Sequence, residues 1–295
     1  MRAAPDRLVG GLLILVAAAG YGLMPLFGIQ AHQAGLAAAA VMACRFLLAA
    51  AGLWIVVAVR KPARPSWRVM LSAAMLGAVC WTIQSIGYLE AVTRLGASLA
   101  ALLLYTYPLM VVVIAVVTRR QRPHLRMLAA SGLVVAGLAL VFTAGFAGIE
   151  SMGVVAGLVS AATYSGYILA SEPLAERADP FLFMALALTG AALSTGSIAV
   201  ASSGIDTAAI ARAAGPLAGL ALLSTIVAAT AFLLGVRRIG ASAASVLSCM
   251  EVVVSCGVAM VALGDRLTPM QLAGCAAILA AAVTLTAKRS EPSPG

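Results

Sequence analysis

The chain has 295 residues, of which 63% are apolar and 10% are charged, and its mean hydropathy is +1.07. A soluble domain carries about 25% charged residues, so this composition excludes an ordinary soluble globular protein and predicts an all-α polytopic membrane protein. The net charge of +9 comes from basic residues in short segments between apolar spans, a distribution typical of membrane topology and not of nucleic-acid binding.

Ten apolar spans are predicted, each suited to a bilayer core roughly 30 Å thick. The first is too long for the apolar region of a signal peptide, so we expect it to be a membrane helix. The five cysteines all fall inside spans without metal-ligand spacing, and we expect packing residues and no metal or other cofactor. The spans cover residues 8–29, 36–59, 68–90, 95–118, 125–143, 151–171, 181–201, 215–236, 239–263 and 268–287.

The distribution of arginine and lysine predicts the orientation. With a cytoplasmic N-terminus, 15 of the 19 basic residues fall in cytoplasmic segments and three fall outside, while Arg45 lies inside a span. The positive-inside rule therefore predicts an even number of spans with both termini in the cytoplasm. The expected location is the plasma (cytoplasmic or inner) membrane.

An internal repeat divides the chain. A shift of 144 residues aligns Tyr88–Thr143 with Phe232–Ala287 without a gap, giving 14 identities in 56 positions. The abundance of alanine and leucine does not explain the shared Arg-x-Gly-Ala-Ser run well. We therefore predict two five-helix units, residues 1–146 and 147–295, which insert in opposite orientations because five is odd. Inverted repeats are typical of secondary transporters, whose site lies near the midplane at the repeat interface.

Five short motifs carry a resemblance to a known family. They are Ala43–Leu48 in the second span, Gly87–Ala91 in the third, Leu103–Leu109 in the fourth, Ser248–Glu251 in the ninth and Gly264–Thr268 before the tenth. Over nearly its whole length the chain resembles the EamA-type family of the drug/metabolite transporter superfamily. The resemblance implies export or exchange of small metabolites such as amino acids. It also implies a substrate path lined by helices 1, 3, 4, 6, 8 and 9.

Glu251 is the strongest candidate site residue. It lies in the middle of the apolar run from residue 239 to 263, and no other acid lies so deep. A charge at the bilayer centre costs about 3 kcal/mol even on lenient scales, so an acid there is a functional-site hypothesis by default. Ser248 and Ser255 share its helix face, at i−3 and i+4. The carboxyl group either binds substrate or a proton, or only forms hydrogen bonds between helices.

Two further groups of polar side chains lie within the spans. Arg45 cannot shed its charge, so it either ties helices together or binds an anionic group of the substrate. Trp81, Gln84 and Tyr88 lie on one face of the third span, which either lines a cavity or bonds a neighbouring helix.

Four tyrosines and two prolines complete the candidate set. Tyr107 is the repeat equivalent of Glu251, so we expect the two to face each other across the pseudo-two-fold axis. The other tyrosines either line a pocket or pack in the core, and the prolines are expected to kink the first and fourth spans. These residues are Tyr21, Tyr164, Tyr167, Pro25 and Pro108.

The sequence favours a secondary transporter that works by alternating access, either proton-coupled through Glu251 or uncoupled. A GxxxxGK[ST] motif is absent, so direct use of ATP is not expected. The alternatives are efflux of cationic drugs or amines and, from a different class, a membrane-embedded lipid-modifying enzyme. Such an enzyme needs paired acids or histidines at membrane depth. The spans contain one deep acid and no deep histidine, so we do not expect an enzyme. The expected partners are a small-molecule substrate and the lipid bilayer, not nucleic acid, and a homodimer remains open.

Overall fold

The computed structural model describes residues 4–95, 97–118, 125–141, 150–202, 206–263 and 268–286. Every regular element among these residues is helical. Eight of the helices are long and apolar enough to cross a membrane, and two shorter apolar helices are Met127–Val141 and Pro269–Val283. The prediction of an all-α membrane protein is therefore confirmed. The two shorter helices lie where the fifth and tenth spans are predicted.

The eight long apolar helices and the two shorter ones are numbered together in chain order, and an interrupted helix is counted once. They are α1 (Ala4–Gly22 and Met24–Gln33), α2 (Ala38–Arg60), α3 (Trp67–Met75, Leu76–Trp81 and Thr82–Leu95), α4 (Ala97–Leu104 and Tyr107–Val117), α5 (Leu125–Val141), α6 (Ser151–Ala175), α7 (Pro180–Ser202), α8 (Ala214–Ala221, Leu222–Val227 and Ala228–Ile239), α9 (Ala241–Ser248, Met250–Val258 and Ala259–Leu263) and α10 (Pro269–Thr286). A short helix, Thr207–Arg212, precedes α8.

Three of these helices, α1, α4 and α9, are interrupted by a turn near their middle, whereas α3 and α8 are divided by a π-helical segment. In α1 and α4, Pro25 and Pro108 lie in the first turn of the second segment. Proline suits that position because its missing N–H has no helical partner there and its φ is already helical. In α9 the interruption falls at Cys249 without a proline. Cys249 is the repeat equivalent of Tyr105 in α4, so α4 and α9 are interrupted at equivalent positions.

The contacts between helices have an approximate two-fold symmetry, which exchanges the two halves of the chain. Helices α2, α4 and α5 each pack on their repeat equivalents, α7, α9 and α10. The packing of α1 on α8 is matched by the packing of α6 on α3. Three of the five pairs of repeat equivalents thus pack directly against each other.

Small residues allow the closest of these contacts. A Cβ built on Gly137 of α5 would lie 2.8 Å from the carbonyl oxygen of Gly274 in α10, and a Cβ on Gly274 would meet the carbonyl oxygen of Gly137. In a bilayer, helix association depends on such close van der Waals packing, because lipid tails are as apolar as the side chains. The α5–α10 pair is therefore held by backbone approach at these two glycines.

Substitution of Gly137 by alanine should lower the thermal stability of the purified protein. The added methyl group would overlap backbone, which cannot rotate away, and overpacking of this kind costs about 1–3 kcal/mol. The matched control is Gly132→Ala in the same helix, where a Cβ meets nothing within 4 Å. The measurement is the midpoint of thermal unfolding in detergent. Equal midpoints for the two variants would contradict the role assigned to the α5–α10 contact.

Candidate functional site

Glu251 lies at the start of the second segment of α9, directly after the interruption at Cys249. Its Oε1 accepts a hydrogen bond of 2.7 Å from the hydroxyl group of Tyr105, which lies at the interruption of α4. The positive end of a helix dipole favours a carboxylate in the first turn. The interruptions of the two repeat partners thus bring the acid, a hydroxyl donor and a helix start together, with Glu251 only partly buried.

Tyr107 contacts α9 at a different residue from the one that the repeat predicts. Its hydroxyl oxygen lies 2.5 Å from Oγ of Ser248, and Ser248 in turn donates to the carbonyl oxygen of Ser245. The chain makes a turn at residues 105–106, and this turn directs Tyr105 rather than Tyr107 towards Glu251. The expectation identified the correct pair of helices, but the residue that meets the acid is Tyr105.

Ser255 bonds a neighbouring helix and not the acid. Its hydroxyl donates to the carbonyl oxygen of Gly22 in α1, at 3.1 Å. A Cβ on Gly22 would lie 3.0 Å from the carbonyl oxygen of Glu251, so the glycine permits α1 to approach α9 here. The expected pair of serines therefore separates, with Ser248 joined to α4 and Ser255 joined to α1.

A row of aromatic rings runs from α2 to α4 past the acid. Trp81 and Tyr167 are buried within the row, while Tyr164 and Tyr105 are partly exposed. Each ring in the row contacts the next. The centroid distances are 5.3 Å for Phe46–Trp81, 5.3 Å for Trp81–Tyr167, 6.3 Å for Tyr167–Tyr164, 4.8 Å for Tyr164–Tyr107 and 6.3 Å for Tyr107–Tyr105.

The polar stripe of α3 divides between this row and the region near the acid. Trp81 packs within the row, whereas Gln84 and Tyr88 remain partly exposed. Ser160 of α6 donates to the backbone oxygen of Gln84, at 2.8 Å. Tyr88 interacts electrostatically with Glu251. Trp81, at one end of the stripe, therefore packs against other aromatic rings, while Tyr88, at the other end, lies near Glu251.

Arg45 of α2 is 8% exposed and contacts α8. Its Nε donates to Oγ1 of Thr225 at 2.7 Å, and its guanidinium carbon lies 5.0 Å from the centre of the Phe46 ring. Of the carboxylates that the structure describes, none lies within 4.0 Å of Arg45. Arg45 nevertheless interacts electrostatically with Tyr21, Tyr164 and Glu251. The buried cation and the acid share one environment without forming an ion pair.

Tyr21 of α1 is close enough to interact electrostatically with both charges. It is partly buried in the first segment of α1, two residues before the interruption at Leu23. Its electrostatic interactions include both Arg45 and Glu251. Pro25 begins the next segment of the same helix, so the interruption of α1 also lies beside this site.

Sequence reasoning missed two polar contributors. Tyr105 belongs to the same Tyr-Thr-Tyr-Pro run as Tyr107, but the turn that selects it is visible only in the structure. Thr225 lies in the π-helical segment of α8, and Trp81 ends the π-helical segment of α3. Such segments occur often at functional sites. The adjacent Ser224 and Thr225 in an otherwise apolar run were the available signal.

Burial differs between the two ends of the site. In α9, the segment Ala241–Ser248 is buried at seven positions, whereas Met250–Val258 is buried only at Val252. The segment Ala228–Ile239 of α8 is also largely buried. The end of the site towards residue 241 is therefore densely packed, and the end towards residue 258 is more accessible.

Comparisons with known proteins agree with this architecture. The model of the EamA-like transporter family matches residues 8–143 and again residues 151–287. An uncharacterized transporter, YcbK of Bacillus subtilis (strain 168), is 25% identical over 287 residues, which cover 92% of this chain and 91% of the relative. A solved crystal structure has a TM-score of 0.77 at 19% identity, covering 96% of this chain and 97% of that chain, which shows the same fold.

The two family matches cover both halves of the chain and confirm the resemblance drawn from the motifs. Together with the apolar helices, they indicate an integral membrane protein that is a transporter rather than an enzyme. The chain belongs to the EamA-like transporter family.

Proposed function

We propose that this protein is a secondary transporter that exports or exchanges small zwitterionic metabolites, with amino acids as the leading class. In this proposal ten helices span the membrane, both termini are cytoplasmic, and two inverted five-helix units alternate access to the site. Transport is coupled to protons through Glu251, whose carboxyl group binds a proton in one part of the cycle and the substrate in the other. The observation that carries the proposal is that a buried guanidinium group, Arg45, and a partly buried carboxyl group, Glu251, each bond a hydroxyl group, at Thr225 and Tyr105, without pairing with each other.

Two opposite charges at membrane depth are costly unless each is neutralised. An α-amino acid would neutralise both, with its ammonium group at Glu251 and its carboxylate at Arg45. Guanidinium carries five N–H donors. Nε donates to Thr225 and Nη1 donates to the thioether sulfurs of Met24 and Met42, which are weak acceptors, so Nη2 remains suited to a carboxylate. The aromatic row would contact an apolar side chain of the substrate. Arg45 would then bind an anionic group of the substrate, the second of the two roles that its sequence position allows.

The uneven burial along α9 supports an outward-facing state. By the basic-residue distribution, residue 241 is at the cytoplasmic end and residue 258 towards the outside. Dense packing before Cys249 would close the cytoplasmic side, while the less buried second segment would leave Glu251 accessible from outside. The packing of α4 on α9 and of α2 on α7 provides interfaces along which the two units could rock.

Efflux of cationic amines or drugs is the second candidate. It is favoured by a carboxylate bonded to Tyr105 and close to the Tyr107 and Tyr164 rings, an arrangement suited to ammonium groups. An amine, however, offers nothing to Arg45. The two candidates therefore differ in whether the substrate's carboxylate contributes to binding.

Substitution of Glu251 by glutamine should abolish uptake driven by a pH gradient in proteoliposomes. The amide keeps the size of the side chain but cannot bind or release the transported proton. The control is Glu176→Gln, at an exposed position after α6. Counterflow with labelled amino acids, measured without a pH gradient, reports whether substrate still exchanges. Gradient-driven uptake at the wild-type rate in Glu251→Gln would refute coupling through this residue.

Substitution of Arg45 by glutamine should raise the KM for amino acid exchange about tenfold to a hundredfold, the effect of losing a charged hydrogen bond. Exchange of the corresponding amine, which lacks the carboxylate, should change much less. The measurement is counterflow in proteoliposomes with each amino acid and its decarboxylated analogue.

Thr225→Val is the control for a purely structural role of Arg45. This change removes the hydrogen bond to α8 but leaves the guanidinium in place. It should lower thermal stability while preserving the preference for the amino acid. If Arg45→Gln affects amine and amino acid equally, the carboxylate-binding role is wrong and amine efflux becomes the better proposal.

A further inference from the structure

A cavity of about 790 Å³ lies at the end of the bundle where α2 ends and α3 and α7 begin. None of the residues that line it belongs to the site around Glu251. Its walls are mostly apolar, and two basic residues complete the lining. The lining residues are Trp54, Val57, Ala58, Met70, Leu182, Pro62, Lys61 and Arg64.

The two basic residues of this cavity are exposed and have no acidic partner. Neither Lys61 nor Arg64 forms an ion pair with any carboxylate among the residues that the structure describes. The sequence contains no acid between Asp6 and Glu90, so this segment has no nearby acid of its own. A concentrated positive charge of this kind favours an anionic ligand.

Neighbouring cations are engaged differently. The guanidinium group of Arg60 lies 4.7 Å from the centre of the Phe181 ring, and that of Arg68 lies 5.8 Å from the centre of the Trp67 ring. Both groups are therefore paired with aromatic faces. Lys61 and Arg64 are the two cations left to face the cavity.

The backbone of Lys61 supplies an independent observation. It ends α2 in the left-handed conformation, with φ of 46°, and its N–H donates to the carbonyl oxygen of Val57 at 2.8 Å. Among the described residues it is the one non-glycine residue with positive φ. Glycine is the usual residue at such a helix end because it adopts positive φ without steric cost. A lysine at a position that favours glycine suggests that its side chain has a functional role.

The apolar wall is held in place by a hydrogen bond between helices. Nε1 of Trp54 in α2 donates to Oγ1 of Thr189 in α7, at 2.9 Å. Trp54 is 38% exposed and Leu182 is 3% exposed, so the wall runs from the surface into the bundle. A free phosphate would gain nothing from this wall, and a purely apolar molecule would gain nothing from the cations. The cavity therefore suits an amphipathic anion.

We propose that this cavity binds an anionic phospholipid, with its phosphate between Lys61 and Arg64 and an acyl chain along Trp54, Val57 and Met70. The basic-residue distribution predicts that this end of the bundle is cytoplasmic, where lipid headgroups would be level with the two cations. Basic pockets between membrane helices on that side are suited to anionic headgroups. This site is separate from substrate transport through Glu251 and does not depend on it.

The test compares phosphatidylglycerol with phosphatidylcholine carrying the same dioleoyl chains. Both are added to the full-length protein in detergent, and bound lipid is measured by native mass spectrometry alongside the thermal unfolding midpoint. The double variant Lys61→Gln/Arg64→Gln should bind phosphatidylglycerol about tenfold to thirtyfold more weakly than the wild type. The control, Arg7→Gln/Arg177→Gln, removes the same charge from the predicted cytoplasmic side at residues outside the cavity and should bind normally.

Inorganic phosphate and glycerol 3-phosphate form the arm that separates a lipid from a free phosphate. Neither should reproduce the stabilisation by phosphatidylglycerol. Equal binding of the two lipids by the wild type would overturn the proposal. Equal losses in the two double variants, or full stabilisation by phosphate alone, would overturn it as well.

Lys61→Gly provides a second variant that should fold readily. Glycine relieves the left-handed backbone, so its unfolding midpoint without added lipid should equal or exceed that of the wild type. Its binding of phosphatidylglycerol should nevertheless be weaker. Wild-type binding in Lys61→Gly would show that the ammonium group does not hold the phosphate.

Discussion

The hydrogen bond from Tyr105 to Glu251 joins two helices at the point where both are interrupted. In a bilayer, an interrupted helix exposes backbone groups that lipid cannot satisfy, so interruptions persist only inside the protein or beside a polar cavity. Here the interruptions of α4 and α9 occur at repeat-equivalent positions and face each other. The repeat thus concentrates its irregular backbone, its deepest acid and a hydroxyl donor in one place.

Symmetric packing surrounds a site whose chemistry is not symmetric. The helices pair as a two-fold exchange requires, and glycines such as Gly137 and Gly274 allow their backbones to approach closely. At the centre, however, one half contributes a carboxylate at residue 251, while its equivalent in the other half is Tyr107, which bonds Ser248. The packing is thus nearly symmetric between the halves, while the side chains at the centre are not.

Arg45 illustrates how burial and function coincide. A guanidinium group at 8% exposure needs partners, and Thr225 and the Phe46 ring provide part of what water would supply. No described carboxylate lies within 4.0 Å of it, so no ion pair among the described residues neutralises its charge. The opposite arrangement occurs at Arg94, which is exposed and pairs with Glu90 at 2.6 Å and also with Glu150. Of these two cations, only the more exposed one forms ion pairs among the residues that the structure describes.

The sequence by itself determined the all-α membrane architecture and the family, because hydropathy, length and local motifs are properties of contiguous residues. It also singled out Glu251, since an acid in an apolar run needs no tertiary information to be recognised. Only the tertiary structure decided which side chains meet it. Tyr105 rather than Tyr107 bonds the acid because the turn in α4 changes their directions, and Ser255 bonds α1 because Gly22 allows a close approach. Thr225 lies 180 residues from Arg45, a separation at which no spacing rule operates, so only the packing of α8 on α2 brings them together.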